Sequence, residues 1–396
     1  MKYIKPDFYD TFKCTAGDCP DSCCKGWQIM IDDESFDKYL KLGGDFGKRM
    51  TASLDFEQQS FLQFGGRCAF LNEDHLCDLI KEKGEDYLCH TCSRYPRHVE
   101  EFEGLREYSL SLSCPEAAGI ILGQRGPLNL VCTEDEETEP LADDFEEFDT
   151  GMFAVLEEAR DLLFAILAFQ GYTVKEKLIA VLLVVSQIQW YVDEGRCLEI
   201  YELIDAYKEK GNNLREMLAT AEKVLQENTL YQLLTGNSEE YRDAVTEGME
   251  QLERLERLRD DWEEVLKEAQ GIIKGQNATY AWVSLAFEEA MVKNVVFGEE
   301  MERWQINLAY FFLYTYFCGA VYDDCVYSKG ALAVFSVCFL KEFVMCRWFL
   351  ADKYIEMEEC VKLSYRYARE VEHSDDNLIM LEEWLMEGYI PVKGAE

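Results

Sequence analysis

The stretch "LIAVLLVVSQIQWYV" (178–192) decides the fold, because a run this apolar is either a membrane span or a helix buried in a protein core. Its fifteen residues fall short of the roughly 18 to 20 needed to cross a bilayer, and charges flank it, so it reads as a core helix. The second such run, "INLAYFFLYTYFCGAV" (306–321), reads the same way. Outward from these, apolar residues recur every three or four positions from Thr150 onward. Helices are expected near 151–170, 174–193, 196–210, 213–227, 238–274, 278–297, 300–321, 328–350, 353–373 and 376–387. Gly171, Gly195, Gly211, Gly275, Gly298 and Gly388 stand at ends or breaks. No repeat of 20 to 50 residues is visible, and the charged block "EQLERLERLRDDWEEVLKEAQ" is too brief for a long coiled coil.

Upstream, "TEDEETEPLADDFEEFDT" (133–150) holds ten acids, no base and one proline, which marks a solvated linker. Residues 1–132 differ in kind from the rest. They hold ten of the sixteen cysteines, three of the four histidines, and short elements broken by glycine pairs. "DDESFDKYLKLGG" reads as a short helix capped by Asp32 or Asp33. "SFLQFGGRCAFLNEDHLC" reads as two short strands, "HVEEFEGLREYSLSL" as a hairpin, and "SCPEAAGIILG" as a helix with Ser113 as cap and Pro115 in its first turn. The fold class is therefore mainly α: a small Cys-rich α+β metal-binding region (1–132), an acidic linker (133–150) and an all-helical domain (151–396).

With 48% hydrophobic and 13% aromatic residues the chain can bury a sizeable core. Its net charge of −38 disfavours nucleic acid as a partner, since phosphates need basic patches. A cationic partner suits it better, although an acidic surface that merely keeps the protein soluble is the simpler reading. The opening "MKYIKPDFYDTFKC" lacks the apolar run of a signal peptide, so a reducing cytoplasm is the expected home, with no membrane association. The cysteines are then thiols or metal ligands rather than disulfides.

"FKCTAGDCPDSCCKGW" (12–27) carries Cys14, Cys19, Cys23 and Cys24; Cys68 and Cys77 follow, then Cys89 and Cys92 in "LCHTCSRYPRHV", then Cys114. Cys89-x2-Cys92 has the spacing at which one turn aims two thiolates at an ion. Soft sulfur selects zinc or iron–sulfur groups over magnesium or calcium. Eight thiols before residue 93 allow two four-thiolate sites, or one cluster with spare ligands. His75, His90 or His98 offers a substitute ligand, although a hydrogen-bonded structural role is the simpler reading. Cys197, Cys318, Cys325, Cys338, Cys346 and Cys360, scattered over apolar helices, read as packed thiols. The N-terminal set, lying among Gly, Asp, Lys and Pro, does not. A redox thiol pair has no surrounding βαβ pattern to support it.

"FKCTAGDCPDSCCKGWQIMID", "RCAFLNEDHLCDLI", "YLCHTCSRYPRHV" and "SLSLSCPEAA", in this order, resemble the flagellin lysine N-methylase family. That family is similar to a broader zinc- or iron-chelating Cys-rich domain. The likeness is dense over residues 8 to about 122 and thins afterwards to traces such as "SYRYAREVEHS" (364–374). It implies methyl transfer from S-adenosylmethionine to the ε-amino groups of flagellin lysines. It also implies a four-iron, four-sulfur (4Fe-4S) cluster, with zinc as the alternative. Carried over residue by residue, its ligands are drawn from Cys14, Cys19, Cys23, Cys24, Cys68, Cys77, Cys89 and Cys92, with Cys114 in reserve.

An amine attacks a methyl carbon only when neutral, and lysine's ordinary pKa is about 10.4, so the site must desolvate it or supply a base. Acidic residues at a mouth attract the cation, and an aromatic wall holds it. Tyr95, His98, Glu372 and His373 are the candidates for such roles. No glycine-rich strand-to-helix turn of the dinucleotide-binding type appears, so the methyl-donor site has no sequence marker. The competing reading is a non-enzymatic zinc module stapling an acidic helical scaffold that binds protein partners.

Overall fold

The computed structural model describes residues 1–135, 148–209, 211, 213–235, 239–275 and 277–394. Most of the acidic linker, 136–147, lies outside the described residues. The fold is mainly α, and among the described residues no helix is long and apolar enough to cross a membrane.

The decisive apolar run lies within α7 (Val174–Asp193), which follows α6 (Thr150–Ala168). Thr173 and Glu176 close a capping box at its start, satisfying backbone N–H groups that the first turn leaves unpaired. Its apolar residues are buried on all sides, which is why the run lacks amphipathic periodicity. Further on come α8 (Ile200–Glu209), α9 (Arg215–Val224), α10 (Thr229–Thr235), α11 (Glu239–Arg254), α12 (Asp260–Ile273), α13 (Asn277–Lys293) and α14 (Val295–Tyr316). The last three are α15 (Val326–Leu350), α16 (Met357–Glu372) and α17 (Asp375–Glu387). The centre is α15, packed by α7, α14, α16 and α17. At its crossing with α7, Gly330 has no room for a side chain: a Cβ there would stand 2.5 Å from Val185 Cγ1.

Two expected helices differ from those found. The span 238–274 is two helices, α11 and α12, because partners elsewhere capture the backbone between them. Leu258 N–H donates to Glu370 Oε2 at 3.0 Å, and Arg259 turns to Asp21. Ser113 does not cap the helix α5 (Pro115–Leu122); Cys114 is the cap residue, and the Ser113 hydroxyl is engaged elsewhere.

N-terminal to the bundle, a four-stranded sheet has the order β6-β7-β1-β8, from β1 (Lys2–Pro6), β6 (Arg97–Phe102), β7 (Leu105–Leu110) and β8 (Leu130–Glu134). β6 and β7 form the expected hairpin, turning at Gly104 with φ +73. β1 runs parallel to β7, Ile4 opposite Glu107, and antiparallel to β8. Tyr314 of α14 donates its hydroxyl to both Ile4 O and Tyr108 O, tying this sheet to the bundle. Glu107 and Arg160 of α6 form a buried two-pronged pair across the same interface. The larger core thus takes in residues from both sides of the acidic stretch, from Ile4 to Leu385 and beyond.

A second, smaller core is built from residues 29–89. It holds α1 (Asp33–Leu40), capped by Asp32 on Ser35 N–H, and α2 (Gly44–Ala52). The two-residue strands β2 (Leu54–Asp55), β3 (Ser60–Phe61), β4 (Gln63–Phe64) and β5 (Arg67–Cys68) follow, with a turn at Gly65 and Gly66, both at positive φ. Two short helices, α3 (Asp78–Lys83) and α4 (His90–Arg94), complete it.

Candidate functional site

The loop from Cys19 to Trp27 joins the small core to the bundle. Asp21, in the middle of it, accepts from Arg259 NH2 at 2.8 Å and from Arg369 NH1 of α16. Arg369 also donates through Nε to Ser113 O at 2.8 Å. Both arginines are buried or nearly so, so the loop is clamped by charge-assisted bonds rather than draped on the surface. At the end of the loop Trp27 donates Nε1–H to Cys23 O at 2.6 Å, and its ring packs on His373 with centroids 4.7 Å apart.

Trp27 is one wall of a cavity of about 530 Å³ between the small core, the β6–β7 hairpin and the ends of α14 and α16. Tyr95, His98, Glu372 and His373 all line it, together with Ser111, Thr315 and Tyr316. Five segments supply them: the turn after α4, strand β6, the end of β7, and the C-terminal ends of α14 and α16. The Ser113 hydroxyl, behind this wall, is a hub. It hydrogen-bonds Tyr95 Oη at 3.0 Å, His373 Nε2 at 2.9 Å and the Ser111 hydroxyl. Ser111 in turn donates to Glu372 Oε2.

The other carboxylate oxygen, Glu372 Oε1, is buried with no hydrogen-bond partner, as is Thr315 Oγ1. Burial pushes Glu372 up to about 7, against the Ser111 hydrogen bond, the nearby His98 and the backbone N–H groups of Ser113 and Leu112. Burial alone would lower His98, but Glu100, 2.7 Å from Nε2, and Glu372 outweigh it, and His98 is raised. His373 goes the other way: burial, with Arg369 and Arg259 nearby, pushes it down to about 3, so its imidazole is neutral. Burial holds Tyr95 far above the usual phenol value. The cavity therefore offers an acceptor that titrates near neutrality, a neutral imidazole and aromatic faces. Ser111, Trp27, Thr315 and Tyr316 were not singled out from sequence, and Ser113 only as a helix cap; small hydroxyls and lone aromatics carry no spacing signature.

Residues 160–391 match the family described as the FliB lysine N-methylase C-terminal domain, well over half of the chain. The chain belongs to the FliB lysine N-methylase family. Over 128 residues, 30% of this FliB-family chain, it is 35% identical to the flagellar biosynthetic protein FliU of Salmonella muenchen, covering 75% of that protein. The same length and identity relate it to the lysine-N-methylases of Salmonella choleraesuis and Salmonella typhimurium, of which it spans about a third, 32% each. No solved structure matches.

The cysteines of this FliB-family protein gather around the small core. Cys68 and Cys89 are buried in it, and Cys24, Cys77 and Cys92 pack against it. Cys68 N–H donates to Cys24 O at 2.9 Å, which lays those segments side by side. Cys77 and Cys89 stand at the N-caps of α3 and α4, with Cys92 one turn into α4. Cys23 is exposed, Cys19 Sγ turns to Asp21 O at 2.9 Å, and Cys14 is exposed near the loop start. Cys114 is buried in the larger core. His75 is exposed on a turn of the small core, and His90, also exposed, is the first residue of α4 and lines the cavity.

Among the described residues no three His, Cys, Asp or Glu side chains are arranged to hold a metal ion. The thiols stand in pairs instead. Cys89 Sγ turns to Met30 O at 3.7 Å; the neighbouring Cys92 lowers Cys89 and is itself raised, and Cys23 is raised by Cys24 beside it and by burial. Burial raises Cys77, and pushes Cys68 up to about 11. Five sulfurs around one small core, most of them unfavourable as free thiolates, suit a soft cationic centre in donor chemistry, though not in their described arrangement.

Proposed function

We propose that the protein is a lysine N-methyltransferase that moves a methyl group from S-adenosylmethionine to lysine ε-amino groups of a flagellar protein, with flagellin as the substrate, in the cytoplasm. The observation that carries this reading is Glu372 Oε1: a buried, unpartnered carboxylate oxygen at the wall of an aromatic cavity, on a group that titrates near 7. Membership of the family and the names of its Salmonella relatives support it.

S-adenosylmethionine supplies a methyl carbon on a sulfonium and leaves as a neutral thioether. The residues of this chain handle the amine. Trp27, Tyr95 and Tyr316 offer the lysine cation π-faces, and Glu372 offers it a counter-charge. Glu372 Oε1 first takes a proton from the ammonium, which frees the nitrogen lone pair; the new N–C bond then forms as the methyl carbon's bond to sulfur breaks, leaving a methylammonium on the lysine. An ordinary carboxyl, near 4.3, lies about six units below a lysine ammonium; at about 7 the gap is roughly three, which lessens the unfavourable free energy of the proton transfer by about 4 kcal/mol. His373, neutral and fixed by Ser113, keeps positive charge away from the arriving ammonium.

Cys24, Cys68, Cys77, Cys89 and Cys92 would hold the iron–sulfur cluster or, alternatively, zinc. Such a centre would supply a fixed local charge and a cross-link for the small core, beside the loop that carries Trp27. The polar transfer itself calls for no electron.

Purification without oxygen, assay of iron, sulfide and zinc, and incubation with labelled S-adenosylmethionine and flagellin test the reading. Methyl masses on lysine are expected, abolished or reduced 10²- to 10⁴-fold in Glu372→Gln. Metal without methylation would remove the transferase reading, and zinc without iron or methylation would leave the scaffold in its place.

A further inference from the structure

We propose that a second cavity, remote from the first, takes a lysine side chain of the polypeptide substrate and anchors that substrate without reacting; this rests on the reading of the protein as a protein-lysine methyltransferase. The cavity, about 400 Å³, opens among α7, α10, α11, α13, α14 and α15. Its distinguishing group is Glu342, midway along α15 and only 5% exposed. Oε1 accepts from Tyr241 Oη at 2.6 Å and Oε2 from Tyr280 Oη at 2.7 Å, and the two rings stack with centroids 6.0 Å apart. Among the described residues no cation pairs with Glu342; its neighbour Lys341 is committed to Glu288.

A core that needed only a link between α11, α13 and α15 would be served by a neutral amide at lower desolvation cost. Burial raises this carboxyl while both tyrosine hydroxyls and Lys341 lower it, so at the foot of an open cavity its ionised form is favoured when an ammonium arrives beside it. The lining adds Glu288, Glu299 and Glu302 against Lys175 and Lys341, which leaves the acids in excess, while Leu178 and Met291 give apolar walls. That combination fits an alkyl stem ending in an ammonium. Outside the mouth, Val292, Val295 and Val296 are 79%, 64% and 66% exposed, an apolar ridge ready for residues flanking such a lysine. The chain's charge of −38 favours a basic segment over an acidic one. Along α14, Glu302 and Thr315 are separated by about 20 Å, too far for a methyl group to pass between the cavities. The second site is therefore an anchor.

Fluorescence anisotropy with a labelled peptide carrying one lysine flanked by valines and leucines tests this on the full chain. Glu342→Gln and, on the exposed rim, Glu302→Lys are each expected to weaken binding at least tenfold. Glu372→Gln should stay within twofold, and a peptide with norleucine for lysine should bind wild type as weakly as the lysine peptide binds the variants. Wild-type affinity in folded Glu342→Gln, or equal binding of the norleucine peptide, overturns the proposal. Should Glu342→Gln not fold, Glu302→Lys decides, an unchanged affinity again overturning it. No methyl transfer is read, so failure of the catalytic reading and failure of this one are separate results.

Discussion

Glu370 and Glu372 stand two residues apart on α16, and burial pushes both up to about 7, yet they serve different surfaces. Glu372 lines the cavity, whereas Glu370, fully buried, accepts from Leu258 N–H where α11 breaks from α12. A carboxyl raised in the folded state favours folding below the unfolded value near 4.5, and that contribution is lost as pH climbs towards 7, because the unfolded chain then binds fewer protons. Glu370→Gln should therefore raise stability at pH 8 by about 1 to 3 kcal/mol and leave it nearly unchanged at pH 4, which thermal melts at the two pH values will read. Methyl transfer should show the opposite limb, rising through pH 7 as Glu372 sheds its proton, with the limb absent in Glu372→Gln. Ser113→Ala leaves Tyr95 and His373 without their shared partner and should cost about 1 to 3 kcal/mol in a denaturant melt. From sequence, Ser113 looked like a helix cap: serine before proline is a common cap pattern, and nothing local reveals that α16, some 260 positions away, claims the hydroxyl. Tyr95, His98, Glu372 and His373 were picked as titratable or aromatic residues in the motif-bearing stretches, and they line one cavity. The hydroxyls connecting them were invisible.

At the scale of elements, the clamp on Asp21 binds three distant segments: the Cys19–Trp27 loop, the junction before α12, and α16. Removing a carboxylate from beneath two buried guanidinium groups leaves their charge unpaired. Asp21→Asn should cost about 3 to 5 kcal/mol and raise amide exchange across residues 19–27, measured by mass spectrometry. Gly26 lies at the same contact with φ +83, and a Cβ there would meet Arg259 Cγ at 2.6 Å and Leu258 O at 3.0 Å. Gly26→Ala should loosen the same residues. These contacts explain why the α11–α12 break could not be read: "ERLERLRDDWEE" favours a continuous helix residue by residue, and only tertiary partners open it. Helix α7 was legible for the opposite reason, since a fifteen-residue apolar run admits few alternatives. The short strands near Gly65 and Gly66 were legible through their glycines.

On the scale of the whole molecule there are two cores, one of them wrapped in sulfur. Cys89→Ser with Cys92→Ser should strip bound metal and unfold the small core while the bundle's helical signal persists, read by metal assay and circular dichroism. The Glu107–Arg160 pair welds the sheet to α6, so Glu107→Gln should destabilise the larger core by roughly 3 kcal/mol or more. Composition and periodicity made the helical bundle and the Cys-rich region legible. The attachment of the sheet was not, because parallel pairing of residues a hundred positions apart leaves no local trace. That pairing also orders events during biosynthesis. Strand β1 sits between β7 and β8, so its berth is incomplete until residue 134 has left the ribosome, by which time residues 29–89 can already have condensed. The nascent chain thus can form its small, thiol-bearing core before the opening strand locks home.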